Sequence, residues 1–536
     1  MALSDGEMTG QRLLLAFDGR DGIPAEFAKT MQAYRPAGLT LFRHLNIDNP
    51  AQLRRLTGLL QDAARQMGLP PLLIAADQEG GQLMAIGGGT TLLPGNMALG
   101  ATGDPDLARR SGEVLGRELA AMGININYAP SCDVNSNPRN PGIGIRSFGE
   151  DPQMVGVLAA AQIEGMQSCG VAACAKHFPG HGDTESDSHH GLPVVPHDMS
   201  RLQRVELPPF QRAFAAGARM VMTAHMALRA LDGPDAPPAT LSRRVVTGLL
   251  RELLGYEGVV ITDAMDMRAI TQGDALGEHA VRALEAGCDL LLVMSDPKDQ
   301  ERVYGAARRA LEDGRLDRAS FNASLARISE LRKWLAGQPD PPDLDVVGSL
   351  LHCAVADDIA RRSVTLVRDE AGLLPLRLQP AARIAAIVPK PLDLTPADTS
   401  SYVVPTMAAS LRELHPNVDE FVVSQTPSDN EIAALVERVR GYDLVVLGTL
   451  NAFAQPGQQA LVAQVLKTGI LTVVVALRLP YDLASFPQAQ TFVATYSILE
   501  PSMKALASAL FGAEHFEGKL PVSIPGLYSI GHRWER

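Results

Sequence analysis

Short apolar runs recur through the first 335 residues and alternate with helical patterns. They fall at 13–16, 38–42, 72–76, 124–128, 172–176, 219–223, 258–262 and 289–293. Each is apolar on both of its alternating faces, as parallel strands covered on either side require. Helical patterns lie between them, for example at 105–122, 155–168 and 243–254. Eight strand–helix units in about 300 residues predict a (β/α)8 TIM-type barrel, with a doubly wound open sheet as the alternative. A barrel gathers its chemistry where strands end and loops begin. Polar residues stand there: Asp77 after the third run, Asp133 beyond the fourth, Lys176 and His177 at the fifth, His225 after the sixth and Asp263 after the seventh.

The helical pattern breaks at GQPDPPDLDVV, where three prolines interrupt it. New strand-like runs follow at 364–367, 384–388, 421–424, 444–448, 472–476 and 492–495, separated by helical stretches at 430–439 and 456–466. The pattern predicts three units: a barrel over 1–336, a Pro-rich linker over 337–348, and a C-terminal α/β/α sandwich domain over 349–536. Two domains are what 536 residues favour.

Composition narrows the function classes. The formal net charge of −12 argues against nucleic acid or an anionic membrane as the main partner. The five cysteines, Cys132, Cys169, Cys174, Cys288 and Cys353, show no CxxC pair or framework spacing and favour a reducing compartment. The N-terminal stretch has neither a basic region nor a long apolar segment, and no run reaches the ~18 residues of a membrane helix. These features give a cytoplasmic protein as the expectation.

The densest chemical stretch is KHFPGHGDTESDSHHGLP, residues 176–193, with four histidines, three glycines, Asp183, Glu185 and Asp187. In Asp187-Ser188-His189 the carboxylate can accept a proton from one ring nitrogen, leaving the other to serve as general acid and then base. A metal loop built from His177, His181, Asp187 and His189 is a competing reading, but the spacing fits no paired-ligand pattern. A solvated surface loop is another. Asp263, in GVVITDAMDM, is either a carboxylate at the barrel mouth or a helix N-cap. Asp266 reads as a bystander on the first turn of the next helix. DQEGG, at 77–81, offers acidic groups for hydroxyls or a tight turn. Arg146, in an irregular Pro- and Gly-rich loop, offers a planar fork of donors or a surface ion pair.

Taken together and in order, DQEGG (77–81), APSCDVNSNPRNPGIGIRSFGEDP (129–152), KHFPGHGDTESDSHHGLP (176–193), VMTAHM (221–226) and ITDAMDM (261–267) resemble glycoside hydrolase family 3. They look most like its bacterial β-N-acetylglucosaminidase branch. RRSVTLVRDEAGLLPL, VVALRLPYDL and GKLPVSIPG extend the resemblance over nearly the whole chain. It implies a retaining hydrolase of terminal β-linked N-acetylglucosamine that needs no cofactor or metal. Asp263 is then the nucleophile, His189 the acid/base and Asp187 its dyad partner, with Asp77, Arg146, Lys176 and His177 around the sugar. One departure stands out. Where relatives place Arg after DQEGG and a further basic residue shortly beyond, this chain has Gln82 and Met84.

Three other readings remain at this point: a phosphorylase in which phosphate replaces water, a β-glucosidase or β-xylosidase of the same family, and a non-enzymatic sugar-binding regulator. The second domain has two readings as well, a cover for the barrel surface or a loop that reaches the active site.

Overall fold

A computed structural model of the chain describes residues 3–185, 188, 191–270 and 275–535. Eight parallel strands close into a barrel: β1 (Leu13–Leu15), β2 (Gly38–Thr40), β3 (Leu73–Ala76), β4 (Ile126–Asn127), β5 (Ala172–Phe178), β6 (Met220–Thr223), β7 (Val259–Ala264) and β8 (Leu290–Val293). Each pairs with the next in sequence, and β1 completes the ring by pairing Leu13 with Leu291. The open-sheet alternative is thereby excluded. All eight predicted runs coincide with these strands, although β5 and β7 each extend two residues further than the apolar pattern does.

Alternation decides what fills the barrel. Leu14, Leu73, Ile126, Cys174, Met220 and Ile261 form one buried cluster in its interior, while neighbours such as Leu13, Leu15, Ile74 and Val260 join the surrounding core. Three Asp-Pro pairs start helices by one device. Asp104, Asp151 and Asp296 accept from backbone N–H groups of the first turn, and Pro105, Pro152 and Pro297 supply the preset φ of the first helical residue. The helix expected at 243–254 forms as Arg244–Leu253 with π-type bonding, Leu254 N donating to Leu249 O at 3.0 Å.

The base of the barrel is held by a buried carboxylate. Asp289, just before β8, takes Arg251 at 2.6 Å and Arg327 at 2.7 Å, and also receives the Val260 N–H at 2.8 Å. Burial pushes its pKa up, but the arginines outweigh burial and hold it below the usual carboxylate value. Arg327 belongs to the helix Arg318–Ala336, whose Ile328 and Leu331 pack into the interior cluster.

Beyond 337 the chain carries a short 3-10 turn at Leu344–Val346 and then the helix Leu350–Ser363. Glu118, buried on the barrel helix Pro105–Ala121, ties this crossing down by accepting from Gly348 N and His352 Nδ1, each at 2.9 Å. Six strands follow: β9 (Thr365–Asp369), β10 (Ile384–Pro389), β11 (Val418–Val423), β12 (Leu444–Thr449), β13 (Leu471–Ala476) and β14 (Thr491–Ala494). They lie in the order β9-β14-β13-β12-β10-β11, with only β9 antiparallel to its neighbour. Apolar clusters cover both faces of this sheet. Among the described residues no helix is long and apolar enough to cross a membrane.

Candidate active site

Strands β5 and β7 both bulge where their polar residues begin. Ala175 pairs with Val221 and Phe178 with Thr223, so β5 carries one residue more than β6 between the two pairs. Likewise Ile261 faces Leu290 while Ala264 faces Leu292. The extra residues fall at Lys176–His177 and Thr262–Asp263. A bulge breaks the in–out alternation and re-aims side chains. Lys176, His177 and Asp263 therefore lie within their strands yet face the mouth of the barrel.

The mouth holds a cavity of about 240 Å³ lined by Asp77, Arg146, Lys176, His177 and Asp263. All five described residues assigned to chemistry or sugar binding thus meet in one place. Asp187 and His189 lie outside the described residues. Ser188, between them in sequence, is described: it is buried, lines the same cavity, and sits 3.3 Å from His181 Nε2. Asp266 lines the cavity too, from an exposed turn rather than a helix. The following helix is described only from Ala275.

A buried ionic lattice shapes the floor. Arg146 holds Glu79 through two bonds, Nε to Oε2 at 3.0 Å and Nη2 to Oε1 at 2.7 Å. Lys176 Nζ lies 2.6 Å from both Asp77 Oδ1 and Glu79 Oε1. Burial raises the pKa of Glu79, but Arg146 and Lys176 overcome this and bring it down to about 2. Burial pulls Lys176 and Arg146 the other way, and their carboxylate partners overcome it and raise both. The ions are thus fixed in their charged forms in a poorly solvated site.

His177 is oriented from behind. Its Nδ1 lies 2.8 Å from Asp133 Oδ2, while Asp133 also receives the Ser131 hydroxyl at 2.9 Å and the His181 N–H at 2.6 Å. With Nδ1 donating to Asp133, Nε2 is left toward Arg146 Nη2, 3.4 Å away. His225 performs a similar service beside Asp263, its Nε2 donating to the Ala264 carbonyl at 3.0 Å and its Nδ1 lying 2.8 Å from Thr240 Oγ1.

The second domain reaches this cavity. Thr395, Pro396, Ala397 and Thr399, from the loop after β10, form part of its wall. Thr399 is fastened to the hairpin that follows Asp77. Its N–H and hydroxyl donate to Gln82 O, each at 2.9 Å, and its oxygen accepts from Met84 N at 3.1 Å. The departure at Gln82 and Met84 therefore falls on the docking strip of the second domain, where contact runs through the backbone. Gly81 is needed in that hairpin: its φ is +60°, and a side chain would meet Pro94 O at 2.8 Å.

Residues 12–331 match the glycosyl hydrolase family 3 N terminal domain, and residues 364–529 match the C-terminal domain of the same family. The chain belongs to glycosyl hydrolase family 3. Over 97% of its length, and 97% of the relative's, it is 32% identical to Beta-hexosaminidase A of Pseudoalteromonas piscicida. It is similar to the solved family 3 β-N-acetylglucosaminidase of Paenibacillus sp. str. FPU-7, with TM-score 0.91 and 36% identity over 97% of this chain and 99% of that one. The β-glucoside phosphorylase BglX bound to 2FGlc is more distant, with TM-score 0.80 and 25% identity over 97% and 94%.

Within this family 3 frame, sequence reasoning passed over three parts of the site. Glu79 reads in the sequence only as one of the acidic groups that DQEGG offers to hydroxyls, yet it is the anchor of both cations. Asp133 was placed only at a strand end. The 395–399 segment carries no ionisable signal except Asp398, which is buried and paired with Arg478 at 3.0 Å. Nothing in its composition announces a contact with the barrel.

Proposed function

We propose that the chain is a retaining, exo-acting β-N-acetylglucosaminidase that releases terminal β-linked N-acetylglucosamine. The observation that carries this reading is the convergence of Asp77, Arg146, Lys176, His177 and Asp263 on one cavity. Its volume is below the roughly 300–1,000 Å³ of ordinary ligand pockets, which suits one terminal sugar rather than a chain threaded through. The hexosaminidase relatives support the acetamido sugar.

In this reading Asp263 attacks the anomeric carbon. The carbon–oxygen bond to the leaving group breaks, and His189, held by Asp187, gives its proton to the departing oxygen. Water then attacks the same carbon, His189 takes its proton, and the ester to Asp263 is released with net retention. Lys176, Asp77 and Arg146 hold the sugar hydroxyls, and His177 adds a ring nitrogen fixed in direction by Asp133. Ser188, which separates the two dyad residues in sequence, is buried on the cavity wall. The substrates that fit are chito-oligosaccharides or cell-wall recycling fragments. The five free cysteines suit a cytoplasmic setting.

Hydrolysis of an aryl β-N-acetylglucosaminide beside the aryl β-glucoside, with and without phosphate, tests this reading. Strong preference for the acetamido sugar, with free sugar as product, supports it. Preference for the glucoside overturns the substrate. A sugar 1-phosphate formed in phosphate makes the enzyme a phosphorylase, the activity named for BglX.

A further inference from the structure

A second cavity, of about 480 Å³, lies in the seam between the barrel and the second domain. Its position follows from the sheet. After β10 the chain moves to β11 on one side, then returns to β12 on the other side of β10. Open α/β sheets form a crevice beyond the carboxyl ends of their strands at such a reversal, and ligands bind there. Leu394 comes from the loop after β10, Asn451 and Phe453 from the loop after β12, and Tyr481 and Asp482 from the loop after β13.

The same two chain segments wall both cavities. In the barrel, Pro141 lines the seam cavity and Gly142 lines the active site; in the second domain, Leu394 lines the seam and Thr395 the active site. The seam cavity is thus adjacent to the active-site cavity.

We propose that this seam cavity is a distal subsite for the uncleaved, reducing-end part of a neutral β-linked N-acetylglucosamine oligosaccharide. The inference rests on the function proposed above. Its lining has the character of a saccharide site, an aromatic surface with a few placed polar groups. The half-buried Phe453 ring lies against Tyr481, with centroids 6.2 Å apart. Asn451 Oδ1 is buried and receives no hydrogen bond from the described residues. Its backbone is left-handed, with φ +54°. Asp482 is already engaged, by the Thr449 hydroxyl at 2.6 Å and the Phe453 N–H at 2.9 Å. Arg139, the cation on the rim, is paired with Glu185 at 2.6 Å. That pairing leaves the rim without a free counter-charge for an anionic ligand.

Two variants test this, Phe453→Ala and Asn451→Gly, the second keeping a residue that tolerates positive φ. kcat/KM is measured for an aryl β-N-acetylglucosaminide and for the β-1,4-linked trisaccharide of N-acetylglucosamine. The subsite predicts about a tenfold fall on the trisaccharide with the aryl substrate unchanged, as loss of one stacking or hydrogen-bond contact implies. The unchanged aryl rate also certifies folding. An unaltered ratio between the two substrates in both variants overturns the subsite and leaves the hydrolase reading intact. Failure of the wild type on the aryl N-acetylglucosaminide overturns the function beneath it instead.

Discussion

Arg146 grips both carboxylate oxygens of Glu79, and Lys176 Nζ sits 2.6 Å from the oxygen that Arg146 Nη2 also holds. One buried anion thus sets the position of two cations that line the cavity. Replacing it with an amide of the same shape keeps the packing and removes the charge. Glu79→Gln is predicted to lower kcat/KM on the aryl substrate on the order of 10²-fold, since misplaced binding groups cost about this much. It should also lower stability by about 3–5 kcal/mol, because two buried cations lose their shared partner. Steady-state kinetics and urea unfolding read the two effects separately.

The same residue gives a pH dependence with a definite sign. Its folded pKa, about 2, is below the ordinary 4.5. Its stabilisation is therefore complete above pH 4.5 and is lost as pH falls from 4.5 through 2. The shift corresponds to on the order of 3 kcal/mol. Urea midpoints measured across that window should fall more steeply for wild type than for Glu79→Gln. Parallel curves would contradict the role of the lattice.

Asp289 predicts the opposite division between stability and activity. It binds Arg251 and Arg327 at the base of the barrel, away from the catalytic mouth. Asp289→Ala should cost about 3–5 kcal/mol of stability. The activity of the molecules that remain folded should stay within about twofold, as barrel bases serve stability. Thermal melts paired with active-site titration distinguish this from a catalytic defect.

The loop that brings the second domain to the active-site cavity depends on Asp398. Its carboxylate takes Arg478 at 3.0 Å, Leu394 N at 3.1 Å and Ser400 N at 2.8 Å. Arg478→Met leaves that carboxylate without its cation. The expected result is a destabilisation of about 3–5 kcal/mol, with faster proteolytic cleavage within 392–402. Limited proteolysis followed by mass mapping checks the site of cleavage.

Much of this was legible in the sequence for physical reasons. Strands buried on both faces must be apolar throughout, so the barrel strands stood out. Lys176, His177 and Asp263 were found because polar residues ending apolar runs are conspicuous. Their exact setting was not legible, since a one-residue bulge leaves no trace in an apolar/polar pattern. Glu79 was hidden because a carboxylate in a turn has the same composition whether it faces solvent or two buried cations. The contact of Thr399 with Gln82 and Met84 was hidden for a different reason: it joins positions more than 300 residues apart through backbone groups. The Asp187–His189 pair was read from sequence alone and lies outside the described residues.

The central claim is that Asp263 forms the covalent bond to the sugar. It is tested most directly by trapping the enzyme with a slow fluorinated N-acetylglucosaminide and mapping the labelled peptide by mass spectrometry, with Asp263→Ala as the control. The account predicts a sugar adduct on Asp263, none on the variant, and a loss of turnover on the order of 10⁴-fold or more, as for removal of a covalent nucleophile. An adduct on another carboxylate such as Asp266, or an Asp263→Ala enzyme that keeps its turnover, would contradict it.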